Sequence, residues 1–139
     1  MSESSSEIIK KTKEWLVHAD EDLRLAKHAL KLKSSCPYKL IAYHAQQCAE
    51  KYLKAYLVFR NIDFPYTHNI SHLLELCPDL AEQAKDLQEA KVLTPYAITA
   101  RYPGKGKVIK RNALQAIKIA DNVRRVIRGV LKKRGLKIS

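Results

Sequence analysis

Tyr43-His44-Ala45-Gln46-Gln47-Cys48-Ala49-Glu50-Lys51-Tyr52-Leu53-Lys54-Ala55 reads as the middle of a strongly apolar helix that carries chemically capable side chains along one edge. At about 100° per residue, Ile41, Ala45, Cys48, Tyr52, Ala55 and Phe59 form a core stripe. His44, Gln47 and Lys51 fall within a turn of one another beside it. Leu53, Leu57 and Tyr43 lie away from the stripe, so this helix is expected to touch protein on more than one side, as a central bundle helix or a dimer helix does. A base, an amide and an ammonium beside a core suggest a site for an anion or a nucleotide.

Working outward, the chain divides into five helical segments without repeats. The first spans about 7–33, with Trp15, Ala19, Leu23, Ala26 and Leu30 inward, and Ser34-Ser35-Cys36-Pro37 ends it. Pro37 suits the first turn of the second helix, which ends near Arg60. After the loop Asn61-Ile62-Asp63-Phe64-Pro65, a short helix carries Ile70, Leu73 and Leu74 until Pro78 stops it. Asp79 to Val92 is expected to form a fourth helix, and Thr94-Pro95 to cap one brief turn through Ala100. The last helix runs from about Asn112 to Arg134, with Ala116, Ile117, Ala120, Val123, Ile127 and Val130 inward. Strand alternation is absent throughout. The sequence therefore predicts an all-α bundle of about five helices, one domain over 1–139, with a flexible tail at 1–6 and a basic tail at 135–139.

Composition agrees. A chain of 139 residues is one domain by size, and 46% apolar residues with only four glycines favour helices over sheets. No apolar run approaches a membrane span, and Met1-Ser2-Glu3-Ser4-Ser5-Ser6-Glu7 is polar where a secretory signal would be apolar, so a cytoplasmic protein without a membrane contact is expected. Cys36, Cys48 and Cys77 are odd in number and lack Cys-x-x-Cys spacing; they read as reduced packing cysteines rather than disulfides or a zinc site.

The net charge of +12 is concentrated at one end. Residues 1–100 hold 13 Lys/Arg and 13 Asp/Glu, whereas 101–139 hold 13 basic residues against the single acid Asp121. Lys105 and Lys107 sit in a glycine-containing loop, and Lys118, Arg125 and Lys132 recur every seven residues on the outer face of the last helix. Such a surface is either a solvated face with cations at a helix C-terminus or a phosphate-binding surface.

Asp22 falls on the buried stripe of the first helix, where a carboxylate costs several kcal/mol unless paired. Its expected partners are His44, Lys51 and Arg101. Tyr96 and Tyr102 flank Arg101 and could stack on a base. His68 and His72 stand at i and i+4, but position 69 is Asn where a His-Glu-x-x-His metalloprotease needs its base, so no metal site is expected.

Several of these segments occur in an order that carries a resemblance. Ala19, Asp22, Leu23 and Ala26 fit Ala-x-x-Asp-Leu-x-x-Ala, followed by Ala42-Tyr43-His44 through Ala55, then Pro65-Tyr66-Thr67-His68, then Thr99-Ala100-Arg101-Tyr102-Pro103. Together they resemble the HEPN family, the higher-eukaryote and prokaryote nucleotide-binding domain, from about Trp15 to Val130. The resemblance implies an up-and-down helical bundle of the nucleotidyltransferase substrate-binding-subunit type, usually a homodimer, with no cofactor. It also implies a role in nucleotide or RNA binding alongside a separate small nucleotidyltransferase, in a toxin–antitoxin-like module. The alternative it offers is a metal-independent ribonuclease. Ribonuclease members of the family use an arginine and a histidine separated by four to six residues, and this chain lacks that pair: Arg24 and His28 have three residues between them, Arg60 and His68 seven, and position 116 after Arg111-Asn112 is Ala. The proton-transfer group of such a cleavage is missing. The expected site is a groove in which His44, Gln47 and Lys51 face Arg101 and Tyr102, with Asp22 beneath.

Overall fold

The computed structural model describes residues 4–83, 85–100, 102, 104 and 106–139, with backbone alone for 81–83. Every regular element among them is helical: α1 (Ser5–Ala29), α2 (Tyr38–Phe59), α3 (Ile70–Glu75), α4 (Pro78–Gln83), α5 (Lys85–Glu89), a 3-10 turn (Ala90–Leu93), α6 (Tyr96–Thr99) and α7 (Lys110–Lys133). The three long helices build the bundle, and α2 is its centre, packed against α1 and α7 with α3, α6 and the 3-10 turn closing the remaining sides.

Helix α1 starts earlier than the sequence suggests. Ser4 Oγ accepts from the Glu7 amide at 3.3 Å, so Ser5 and Ser6 form a helical first turn rather than a tail. Thr12, Leu16, Ala19, Leu23 and Ala26 are buried at alternating spacings of four and three, the stripe of one helix face. Leu16 takes the deep position expected for Trp15, which is only half-buried, and the helix stops at Ala29 rather than near Lys33.

At the end of α2, Asn61 adopts the left-handed conformation with φ of 55°. Its neighbour Ile62 then donates back to the Leu57 carbonyl at 2.8 Å, while Arg60 and Asn61 donate to the Tyr56 and Val58 carbonyls, so these carbonyls of the last turn are satisfied. The same device ends α7. Gly135 has φ of 99°, and the Leu136 amide reaches the Leu131 carbonyl at 3.0 Å. Leu136 is thereby returned to the core and Ile138 packs against it, so 135–139 is not simply a basic tail.

Four expectations are corrected here. Leu53 and Leu57 are fully buried within the chain itself, because α2 packs against α1, α3, α6, α7 and the 3-10 turn, so they offer no dimer face. Pro78 opens α4 instead of merely stopping α3, a use that suits a residue without an amide hydrogen at a first helical turn. Of the segment expected as one helix from Asp79 to Val92, α4 and α5 are α-helical as expected, and the end departs from it, with Ala90–Leu93 wound as a 3-10 turn. Thr94 does not cap its own turn: its Oγ1 accepts from the Ile70 amide at 3.3 Å and so ties α6 to the start of α3.

Candidate functional site

Two polar clusters sit on α2, and each contains a carboxylate, a lysine and a histidine. In the first, Asp22 reaches from α1 between two side chains of α2. Lys51 Nζ donates to Asp22 Oδ2 at 2.6 Å, and His44 Nδ1 lies 2.9 Å from Asp22 Oδ1. His44 and Lys51 are seven residues apart, two turns on one face, so a single carboxylate bridges both. The Asp22 side chain is 12% exposed, while His44 and Lys51 are about a quarter open. Both contacts are short enough to be charge-assisted hydrogen bonds.

Lys51 also forms part of the wall of a cleft of about 530 Å³ between α1 and α2, lined further by Lys11, Glu14, Trp15 and His18. The indole of Trp15 meets Phe64 edge-on, with ring centroids 6.4 Å apart. An ammonium carries three donors, and Asp22 engages one of those on Lys51, so Lys51 is both positioned and able to meet a further oxygen. The cleft thus joins three basic side chains, one carboxylate and one aromatic surface, which suits an anionic ligand with a flat apolar part.

The second cluster is deeper. Glu50 is 2% exposed. Its Oε2 accepts from Lys54 Nζ at 3.1 Å, and its Oε1 from Gln46 Nε2 at 3.1 Å, with His68 Nδ1 at 2.9 Å. Gln47 donates to Gln46 at 2.8 Å, and the Lys54 ammonium lies 5.6 Å from the Trp15 ring centre and 5.8 Å from that of Phe64. Every charge in this cluster is compensated, as burial requires.

The structure brings Asp22, His44 and Lys51 together as the sequence suggests and places the others elsewhere. Gln47 is a correction: it is buried, because its amide donates to Gln46 and so joins the buried Glu50 network instead of the open cluster. Arg101 and Lys105 lie outside the described residues. Tyr102 is exposed, and its carbonyl accepts from Lys39 Nζ at 3.4 Å beside the first turn of α2. Tyr96 is half-buried and burial raises its phenol. Lys107 and Lys118 are exposed, and Arg125 pairs with Asp86 at 2.7 Å across to α5. His68 is held by Glu50 and Tyr66, and no group of three or more His, Cys, Asp or Glu with metal-holding placement occurs among the described residues.

Sequence reasoning missed Lys11, Glu14 and His18, and it missed the Glu50 cluster. A signal for the first existed: Lys11, Trp15, His18 and Asp22 follow i, i+4, i+7 and i+11, a second stripe along α1 beside the core stripe.

With this geometry in view, the chain belongs to the HEPN domain family, which its residues 12–130 match. The protein named "Putative toxin MJ1304" of Methanocaldococcus jannaschii is 30% identical over 152 aligned positions, which cover 97% of this chain and 98% of that one. Two crystal structures are similar. ST0689, described as an archaeal HEPN homologue, superposes with a TM-score of 0.68 at 30% identity, covering 86% of this chain and 97% of its own. TT1696 from Thermus thermophilus superposes with a TM-score of 0.69 at 28% identity and the same coverages. Among the described residues no helix is long and apolar enough to cross a membrane.

Proposed function

We propose that this chain binds a nucleotide or an RNA end by its phosphate in the α1–α2 cleft, and that it acts as the HEPN component of a toxin–antitoxin-like module with a separate small nucleotidyltransferase. One observation carries the reading: Asp22 fixes Lys51 on the wall of a cleft that also presents Lys11, His18 and the Trp15 ring. A cation locked in place by a carboxylate loses less freedom on meeting a phosphate than a mobile surface lysine does. The relative named as a toxin, similar over nearly its whole length, supports the module.

Titration calorimetry with ATP, GTP and a short RNA tests the reading. Lys51→Ala should weaken binding by about 1.5–3 kcal/mol, the range for a charge-assisted contact, with the helical circular dichroism unchanged. No heat from the parent protein with any of the three would end the proposal. Cleavage of the RNA during the titration, lost on His44→Ala, would replace it with the ribonuclease reading. The homodimer belongs to the same proposal and draws on the family likeness alone; a monomer by sedimentation at micromolar concentration counts against it.

A further inference from the structure

Beyond the cleft, the loop between α2 and α3 carries a second arrangement with chemistry of its own. Tyr66 is 88% exposed, the most open of the large apolar and aromatic side chains among the described residues. Its hydroxyl lies 3.2 Å from His68 Nε2, and His68 Nδ1 lies 2.9 Å from Glu50 Oε1. A hydroxyl, an imidazole addressed through both ring nitrogens and a buried carboxylate form the order nucleophile, base and orienting acid.

His68 is held rigidly in that role. Gln46 donates to its carbonyl at 3.4 Å, and Thr67 Oγ1 accepts from the next amide, Asn69, at 3.0 Å. Asn69 in turn caps α3 by accepting from Ser71 at 2.9 Å. Glu50, fixed by Lys54 and Gln46, selects the tautomer in which Nδ1 carries the hydrogen and Nε2 accepts from the phenol.

The geometry points to Tyr66 as a nucleophilic acceptor of acyl groups from activated carbonyl donors such as acyl phosphates and thioesters, with His68 as its general base and Glu50 as the group that positions His68. In the step, the phenolic oxygen attacks the carbonyl carbon while its proton passes to His68 Nε2. The bond from that carbon to the phosphate oxygen or thiolate sulfur breaks, and the leaving group departs with the electron pair. His68 then returns the proton to the leaving group or to water, and a Tyr66 ester remains. No oxidation change occurs. Acyl rather than phosphoryl transfer fits, because a phosphoryl group needs cations clamped on its oxygens. The cation of this network, Lys54, is instead engaged with Glu50 and with the rings of Trp15 and Phe64.

The whole protein treated with acetyl phosphate, and separately with 4-nitrophenyl acetate, tests this. Acetylation of Tyr66 is followed by peptide mass spectrometry against Tyr102, an internal reference, with hydroxylamine release distinguishing phenol esters from lysine amides. Exposure alone, 88% against 54%, gives less than about a twofold preference. General-base assistance should raise the preference for Tyr66 to about tenfold or more. His68→Asn should return it to the exposure ratio, and Tyr66→Phe should remove the hydroxylamine-labile label while lysine acetylation persists. Glu50→Gln should lower the preference as well; if that variant fails to fold, the His68→Asn comparison decides. A parent preference of twofold or less, one that His68→Asn leaves unchanged, or a label that sits on His68 in place of Tyr66 overturns the proposal.

Discussion

Asp22 with His44 and Lys51, and Glu50 with His68 and Lys54, are nearly the same three residue types in nearly the same contacts, yet they occupy different physical situations. The Asp22 group straddles two helices at a cleft and remains partly open to water. The Glu50 group is anchored within α2, its carboxylate and lysine both nearly closed off, with only His68 arriving from a loop. A charge in the open group retains solvation when a partner is removed; a charge in the closed group does not. Burial, not composition, therefore separates a lysine able to meet a ligand, Lys51, from one that holds the fold, Lys54.

The sharpest way to break this comparison is Glu50→Ala. It leaves Lys54 buried without its carboxylate and should cost about 3–5 kcal/mol in chemical denaturation; a loss under about 1 kcal/mol would place both clusters in the same class. Asp22→Asn should cost less, about 1–3 kcal/mol, since His44 and Lys51 can still be hydrated. Thiol chemistry sharpens the burial argument. Burial above all, with Asp20 and Asp22 adding to it, pushes the Cys48 thiol far up, and burial raises Cys77 to about 11. Alkylation at pH 8 should therefore label Cys36 first, and rapid labelling of Cys48 in the folded chain would mean that α2 opens to solvent around that thiol. At the small end, Arg125→Ala removes an exposed pair with Asp86 and should change stability by less than about 1 kcal/mol.

Much of this was legible in the sequence, for identifiable reasons. The apolar periods of α1, α2 and α7 declare a helical bundle, and Asp22 on a buried stripe requires the partners it has. The Glu50 cluster was not legible from one stripe, because Glu50 and Lys54 fall on what a single-faced helix would turn to solvent. The spare leucines Leu53 and Leu57 held the missing information. Once the face of α2 that carries Leu53 and Leu57 is covered as well, Glu50 and Lys54 beside them must be buried and paired. The tightening into a 3-10 turn at Ala90–Leu93 was also hidden, since helix propensity persists through it.

Asp20, two residues before Asp22 and on the other side of α1, bears on how the molecule opens. It receives Arg124 Nε at 3.0 Å, has Arg128 at 3.6 Å and accepts from the Tyr52 hydroxyl. One carboxylate thus ties α1, α2 and α7 at a single point, and the Tyr52 phenol is pushed up by burial and by that contact. The three long helices cannot separate one at a time without breaking this knot. Their central amides should then exchange with solvent deuterium only through global opening, at a common free energy, while α3 to α6 exchange through smaller local excursions.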